Sequence, residues 1–353
     1  MNVRIRADLD QIPAYVAGRS VAGATKLASN EVSAGPLPTV EEAIRRAAAD
    51  VHRYPDNGST KLVEALSRRL DVAPENLSIG CGSASLCQQL VQVMCTPDDE
   101  VVFPWRSFEA YPIITRVHGA TPVPVALSDE HAIDLDALAG AITPATRLVF
   151  VCTPNNPTGT GLDRAALDRF LQQVPEHVLV VLDEAYREFV TDPEAPDGVE
   201  VAREHDNVVA LRTFSKAYGL AGLRVGYAVA SERVTEALRK VGVPFSVNAL
   251  GQVAALASLD AEDELKARCE EIDTERERVR RALLDSGYDP GVVPASQANF
   301  VWMALRDRAQ AFNEHCMDNG VVVRAFTDEG VRITIGRPQE NDEFLAAARS
   351  FQG

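Results

Sequence analysis

Lys216 stands in the stretch TFSKAYGLAGLRVGYAV, beside Gly219, Leu220, Gly222, Leu223, Val225 and Gly226, with Arg224 eight residues further on. An amine in apolar surroundings, close to a second cation, holds its proton weakly and becomes available as a nucleophile or a base. Other apolar runs end in groups that could share a site with it. LSIG leads into GCGSAS, and RLVFVC leads into PNNPTG at residues 154–159. HVLVVLD ends on Asp183 and continues Glu184-Ala185-Tyr186, while NVVALRTF runs into Ser215-Lys216. Ligands of α/β sheets gather at the carboxyl ends of strands. Four such ends would therefore offer a glycine turn before a helix, an amide, a carboxylate with a phenol, and a hydroxyl with an amine.

Taken singly, each group has a plainer explanation. Lys216 could sit at a strand-to-helix junction with its amine in water. GCGSAS begins like GxGxxG but has Ser85 in sixth place, so it supports a general anion site at a helix N-terminus better than a dinucleotide site. VLVVLDE resembles the acidic strand of a P-loop NTPase, yet no GxxxxGK[ST] accompanies it. NNPTG is rich in turn formers, and Asp183 could cap a helix.

The elements that must position these groups follow from periodicity. Thr39 and Glu42 in TVEEAIRRAAADV predict a capping box, and Val40, Ala43, Ile44, Ala47 and Val51 mark one helix face. SLCQQLVQVM continues the glycine turn as a helix. EVVF, TPVPVAL, RLVFVC, HVLVVLD, NVVALRTF and RVGYAVA read as strands, several of them continuously apolar, as in a mostly parallel sheet covered on both faces. Between two of them, Ala166, Leu167, Phe170, Leu171 and Val174 recur at helical spacing, which gives a βαβ pattern. Beyond about residue 245 the texture changes. A long charged helix, the strand NFVWMAL, a helix ending at Gly320, strands VVVRAF and GVRITIG and a last helix predict a smaller α+β domain. The boundary is expected near Val243-Pro244, giving a large domain of residues 30–243 and a smaller part made of residues 1–29 and 244–353.

Composition bounds the function. The chain has 353 residues, 46% of them hydrophobic, enough for two cores. Its formal net charge of -16, with no basic block, argues against nucleic acid and anionic membrane surfaces as partners. MNVRIRADLDQIPAY lacks the apolar stretch of a signal peptide, and no run approaches the roughly 20 apolar residues of a membrane span. The cysteines at 81, 87, 95, 152, 269 and 316 form no CxxC, and no Cys/His or HExxH pattern suggests a metal. Reduced, mostly buried thiols and a cytoplasmic location are expected.

In combination the motifs are specific. The order glycine turn, NNPTG, DEAY, SK and then Arg224, with 27 residues from Asn156 to Asp183 and 33 from Asp183 to Lys216, resembles the fold-type I pyridoxal 5'-phosphate enzymes, and among them the class I/II aminotransferases. The resemblance spans nearly the whole chain. It implies an α/β fold with a mostly parallel, doubly wound sheet in the large domain. It also implies that Lys216 is the lysine to which the cofactor is attached, that Asp183 faces the pyridine nitrogen, and that Asn156 and Tyr186 bond the ring's 3' oxygen. The cofactor phosphate would rest on the amides of Ser83 and Ala84 with Ser215 and Arg224, and Phe108 in PWRSFEAYP would stack on the ring. Tyr54 in HRYPDNGS matches a tyrosine that reaches the phosphate of the neighbouring subunit, so a homodimer is implied. Arg332 in GVRITIG matches the arginine that grips the substrate's α-carboxylate. Asn30 in KLASNE, Tyr15 in IPAYVAG and Arg324 in VVVRAF fall on the substrate side.

KLASNE, RYPD, NNPTG, DEAY, FSKAYGLAGLRVGY and SQANFVW are similar to the histidinol-phosphate aminotransferase branch. GCGSASLCQQLVQV and PWRSFEAYP look more like the actinobacterial aromatic amino-acid aminotransferases within it, and Ser83-Ala84-Ser85 departs from the acidic residues that often follow the turn in the histidinol-phosphate enzymes. The expectation is transfer of an amino group from phenylalanine, tyrosine or tryptophan to 2-oxoglutarate. Histidinol-phosphate transamination is the alternative, and a pyridoxal-phosphate decarboxylase, which would share the cofactor residues, is a more distant one.

Overall fold

The structure, a computed structural model, describes residues 3–16 and 18–351. A two-residue strand β1 (Thr25–Lys26) precedes β2 (Leu77–Gly80), β3 (Glu100–Trp105), β4 (Thr121–Ala126), β5 (Thr146–Cys152), β6 (Leu179–Asp183), β7 (Val208–Thr213) and β8 (Gly226–Val229). Strands β2 to β8 form one seven-stranded sheet in the order β2-β8-β7-β6-β5-β3-β4. Every neighbouring pair is parallel except the two that β8 makes, with β2 and with β7.

The continuously apolar runs are explained by burial on both faces. Along β5, Leu148 and Phe150 pack with Leu86, Leu90 and Phe103 on one side, while Val149 and Val151 pack with Leu167, Phe170 and Val180 on the other. Successive side chains of a strand point to opposite faces, so a sheet covered by helices on both needs no polar alternation. β4 is the exception that marks an edge. It pairs only with β3, and its Pro122 and Pro124 lack the N–H groups that a further neighbour would need.

Strands β9 (Phe300–Met303), β10 (Val321–Val322), β11 (Arg324–Phe326) and β12 (Gly330–Thr334) follow the long helix Glu262–Asp285. β11, β12 and β9 make an antiparallel sheet, and β10 pairs in parallel with β1. The run VVVRAF, expected as one strand, is therefore divided at Val323 between two partners. The N-terminal segment takes its first half, through the Thr25 N–H to Gly320 O and the Leu27 N–H to Val322 O, both 2.8 Å. No helix among the described residues is long and apolar enough to cross a membrane.

The expected capping box is corrected by the structure. The helix Pro38–Ala47 begins two residues earlier, with Leu37 as its N-cap and Pro38 in the first turn. Proline there has no N–H to leave unsatisfied and its φ suits a helix. Thr39 is consequently inside the helix and its hydroxyl bonds Glu264, while Glu42 pairs with Arg45. Val51 lies beyond the helix end and is exposed.

Where β6 ends, the alternation of side chains separates two neighbouring acids. Asp183 faces Tyr111 and Cys87. Glu184 turns the other way, receiving the Arg212 Nε–H at 2.8 Å and the Gly198 N–H at 2.8 Å, and Arg212 Nη2 also reaches Asp197 at 2.8 Å. Both Glu184 and Arg212 are buried, so removal of one partner strands the other's charge. Arg212→Met should cost about 3–5 kcal/mol of unfolding free energy. Adding Glu184→Gln should recover part of it in denaturant titrations; equal stability of Arg212→Met and the parent would contradict this account.

Candidate active site

A cleft of about 680 Å³ opens at the carboxyl edge of the large sheet. Its lining includes Lys216, Asp183, Tyr186, Asn156, Ser83, Ala84, Phe108, Ser215 and Arg224, together with Asn30, Tyr15, Arg324 and Arg332. The structure thus gathers into one site every candidate named from the sequence except Tyr54. Tyr54 is 83% exposed, packs on Phe245 at 4.8 Å between ring centroids, and borders a separate, smaller depression with Arg53, Lys61 and Gln252.

The anion end is shaped by two glycines. Gly82 has φ +79°, and a Cβ there would lie 2.4 Å from Arg224 Nη2. A Cβ on Gly226 would lie 2.4 Å from the Ser83 nitrogen. Their lack of side chains lets β8, the Arg224 guanidinium and the start of helix Ser83–Met94 converge. Arg224 Nη1 donates to Ser215 Oγ at 3.1 Å and to Ala221 O at 3.0 Å. The helix N-terminus has no side-chain cap, so its amides together with Arg224 and Ser215 suit a phosphate.

At the end of β6, Asp183 is buried. Its Oδ2 accepts from the Tyr111 hydroxyl at 2.7 Å, whereas Oδ1 is buried without a hydrogen-bond partner. Burial pushes the carboxyl up to about 6, against the lowering effect of the Tyr111 hydrogen bond. A half-satisfied, desolvated carboxylate of this kind fits a protonated ring nitrogen. Tyr111 is held by stacking on Phe150, with centroids 4.3 Å apart, and meets Phe108 edge-on.

Lys216 Nζ lies 3.4 Å from Ser29 O and 5.7 Å from the centre of the Tyr186 ring. Burial is the main reason its amine falls to about 7; the charges of Arg332 and Arg224 lower it further, and Glu31 and Asp183 oppose them. Asn30 Nδ2 donates to the Tyr186 hydroxyl at 2.9 Å, and the Asn30 backbone, at φ +53°, is fixed by Thr334. Burial raises the Tyr186 phenol well above its ordinary value. Arg332 Nη1 bonds Asn156 Oδ1 and Nη2 donates to Ala28 O at 2.9 Å, while its Nε is buried and unpartnered. These residues fit pyridoxal 5'-phosphate: an anion cradle, an open carboxylate oxygen, a deprotonatable amine and a phenol–amide pair surround one volume.

Tyr111, Glu109, Phe326, Ser29 and Cys152 also touch or line the site and were not named from the sequence. Only Tyr111 carried a signal, its place three residues after Phe108 in PWRSFEAYP; the others come together through strand and loop packing that no local pattern records.

The sequence matches the family described as aminotransferase class I and II over residues 22–348. It is 59% identical to an aromatic amino acid aminotransferase of Nocardia farcinica over 99% of this chain and 97% of that protein. It is 57% identical to one of Rhodococcus jostii, over 100% of this chain and 97% of that protein. A solved histidinol-phosphate aminotransferase from Sinorhizobium meliloti, in complex with pyridoxal-5'-phosphate, has a TM-score of 0.91 at 31% identity, covering 99% of this chain and 97% of its own.

A lysine whose amine falls to about 7 is neutral in a pH range where surface lysines are charged. In cofactor-free protein, acylation of Lys216 followed by peptide mass analysis should rise with a midpoint near pH 7. Labelling that rises only near pH 10, together with the surface lysines, would contradict the desolvated environment described here.

Proposed function

The chain belongs to the class I and II aminotransferases, and we propose that within this family it moves the amino group of phenylalanine, tyrosine or tryptophan to 2-oxoglutarate. The observation that carries the substrate side is Arg332. It is 8% exposed, keeps an unpartnered Nε, and has only neutral oxygens as partners. The rings of Phe300 and Phe326 flank it at 5.6 and 5.9 Å. A single carboxylate would satisfy its fork, and the aromatic flanks suit an apolar side chain beyond it. The curated relatives from Nocardia farcinica and Rhodococcus jostii, named for aromatic amino acids, support the same substrate class.

When bound, pyridoxal 5'-phosphate supplies the electron sink that makes a Cα proton removable. In this reading the chain's residues bind, orient and move that proton. Arg224, Ser215 and the amides of Ser83 and Ala84 hold the phosphate; Phe108 covers the ring; Asn156 and Tyr186 hold its 3' oxygen. Asp183 Oδ1 would accept from the ring N–H and favour its protonated form. Arg332 would fix the substrate carboxylate and so hold Cα within the cleft that Lys216 lines. Lys216 Nζ, released when the substrate's amine takes its place on the cofactor and kept from charging by its desolvated setting, would then take the proton from Cα. Asn30 orients the Tyr186 hydroxyl, and Tyr15 closes the outer side. We further propose a homodimer in which Tyr54 serves the neighbouring subunit's phosphate site. Its exposure and its distance from its own chain's cleft support that role.

Mixing the cofactor-loaded enzyme with phenylalanine in a single turnover should convert bound cofactor to its pyridoxamine form faster than mixing with histidinol phosphate does. Lys216→Ala should abolish turnover and the lysine-dependent visible absorbance. A response to histidinol phosphate alone would replace the aromatic reading, and carbon dioxide release without need of an oxo acid would indicate a decarboxylase. For the second proposal, Tyr54→Phe should weaken cofactor affinity about tenfold, as expected for loss of a hydrogen bond to a charged group. Unchanged affinity, or a monomer at working concentration by sedimentation, would refute it.

A further inference from the structure

Arg106, Arg324 and Arg332 place their guanidinium carbons 5.4, 5.6 and 5.9 Å from the centre of the Phe326 ring, at the substrate end of the cleft. They differ in what neutralises them. Arg106 is closed by Glu329, which accepts from its Nε at 2.7 Å and from its Nη2. Arg324 Nη2 donates to Glu109 Oε2 at 2.8 Å and to Val16 O at 3.0 Å. Arg332 has no carboxylate partner. At the same mouth, Lys26 is paired with Glu31 at 2.7 Å. Among the described residues on the substrate side of this cleft, Arg332 and the reactive Lys216 are thus the cations without an acid closed on them.

Glu109 occupies a telling position. It is the N-cap of helix Ala110–Val117, where an acidic side chain can satisfy the helix's free amides, yet it makes no capping bond. Its carboxylate instead crosses to Arg324 on β11. The pair is mostly withdrawn from water, with side-chain exposures of 29% for Glu109 and 17% for Arg324. A substrate with a second, distal anion would meet an arginine whose charge Glu109 already offsets, and would either displace that carboxylate and leave it unpaired in the cleft or lie beside it against its repulsion. A neutral ring has no such requirement.

We propose that Glu109 is a specificity-determining residue. By holding Arg324 in a neutral pair, it withdraws a second anion-binding position from the donor site and favours an amino acid with one carboxylate and an apolar side chain. The proposal rests on the aminotransferase reading above and deepens it. The same carboxylate opposes the distal carboxylate of 2-oxoglutarate, so Glu109 also weakens binding of the acceptor.

The test is Glu109→Gln in the cofactor-loaded enzyme, with kcat/KM measured for phenylalanine, glutamate and histidinol phosphate as donors and KM for 2-oxoglutarate as acceptor. The ratio of either anionic-tailed donor to phenylalanine should rise about tenfold or more, the scale of one freed charge-assisted hydrogen bond, and the 2-oxoglutarate KM should fall. Adding Arg324→Gln should erase the gain, because Arg324 is the group released; Glu109→Asp, which keeps the charge, should retain most of the parent's preference. An unchanged donor ratio in Glu109→Gln, or a gain that survives loss of Arg324, overturns the inference. The parent enzyme separates the two readings. If it already prefers histidinol phosphate, the aromatic assignment fails; if it prefers phenylalanine and the ratio does not move, only the role of Glu109 fails.

Discussion

Removal of ionisable groups from water at the edge of an apolar sheet is the constraint on which the rest of this structure depends. β5, β6 and β7 are buried on both faces, so what stands at their carboxyl ends stands on a floor of low polarizability. Desolvation is the largest influence on both Lys216, which falls to about 7, and Asp183, which rises to about 6. In water these groups would be separated by more than six units of proton affinity. Burial lowers the one and raises the other, which leaves Lys216 able to shed its proton near neutrality and Asp183 in want of a cationic partner.

That arrangement is destabilising, and the surrounding structure offsets it. Glu184, one residue from Asp183, is locked by Arg212 and the Gly198 amide on the opposite side of the strand end. Of the buried side-chain atoms without a hydrogen-bond partner, which also include Glu188 Oε2, Asn299 Oδ1 and Trp302 Nε1, Asp183 Oδ1 and Arg332 Nε belong to residues that line the cleft. Buried groups without partners elsewhere in a core would be costly defects; at this edge they are complementary to a ring N–H and a carboxylate. Gly82 and Gly226 act in the same sense by removing bulk where Arg224, β8 and the start of the helix Ser83–Met94 converge.

The substrate end obeys a different rule. There, Arg332 apart, the cations are closed in pairs, Arg324 with Glu109 and Lys26 with Glu31. The site is thereby chemically active near the sheet and electrostatically quiet at its mouth. On the proposed reading, selectivity follows from which arginine is left open.

The sequence by itself determined the family, the α/β class, the cofactor and the order of the motifs, because these depend on local features: apolar runs of strand length, glycine turns, and a lysine and an aspartate at fixed separations. It misjudged the start of the first long helix, where Pro38 overrode the Thr39–Glu42 pattern, and it joined β10 and β11, which the N-terminal segment divides. Only the tertiary structure decided that Asp183 keeps one oxygen free, that Tyr111 holds the other, that Tyr54 lies outside its own chain's cleft, and that Glu109 closes Arg324. Each of these is a relation between residues far apart in the chain. Burial and pairing are properties of the assembled surroundings and leave no mark on the spacing of neighbouring residues.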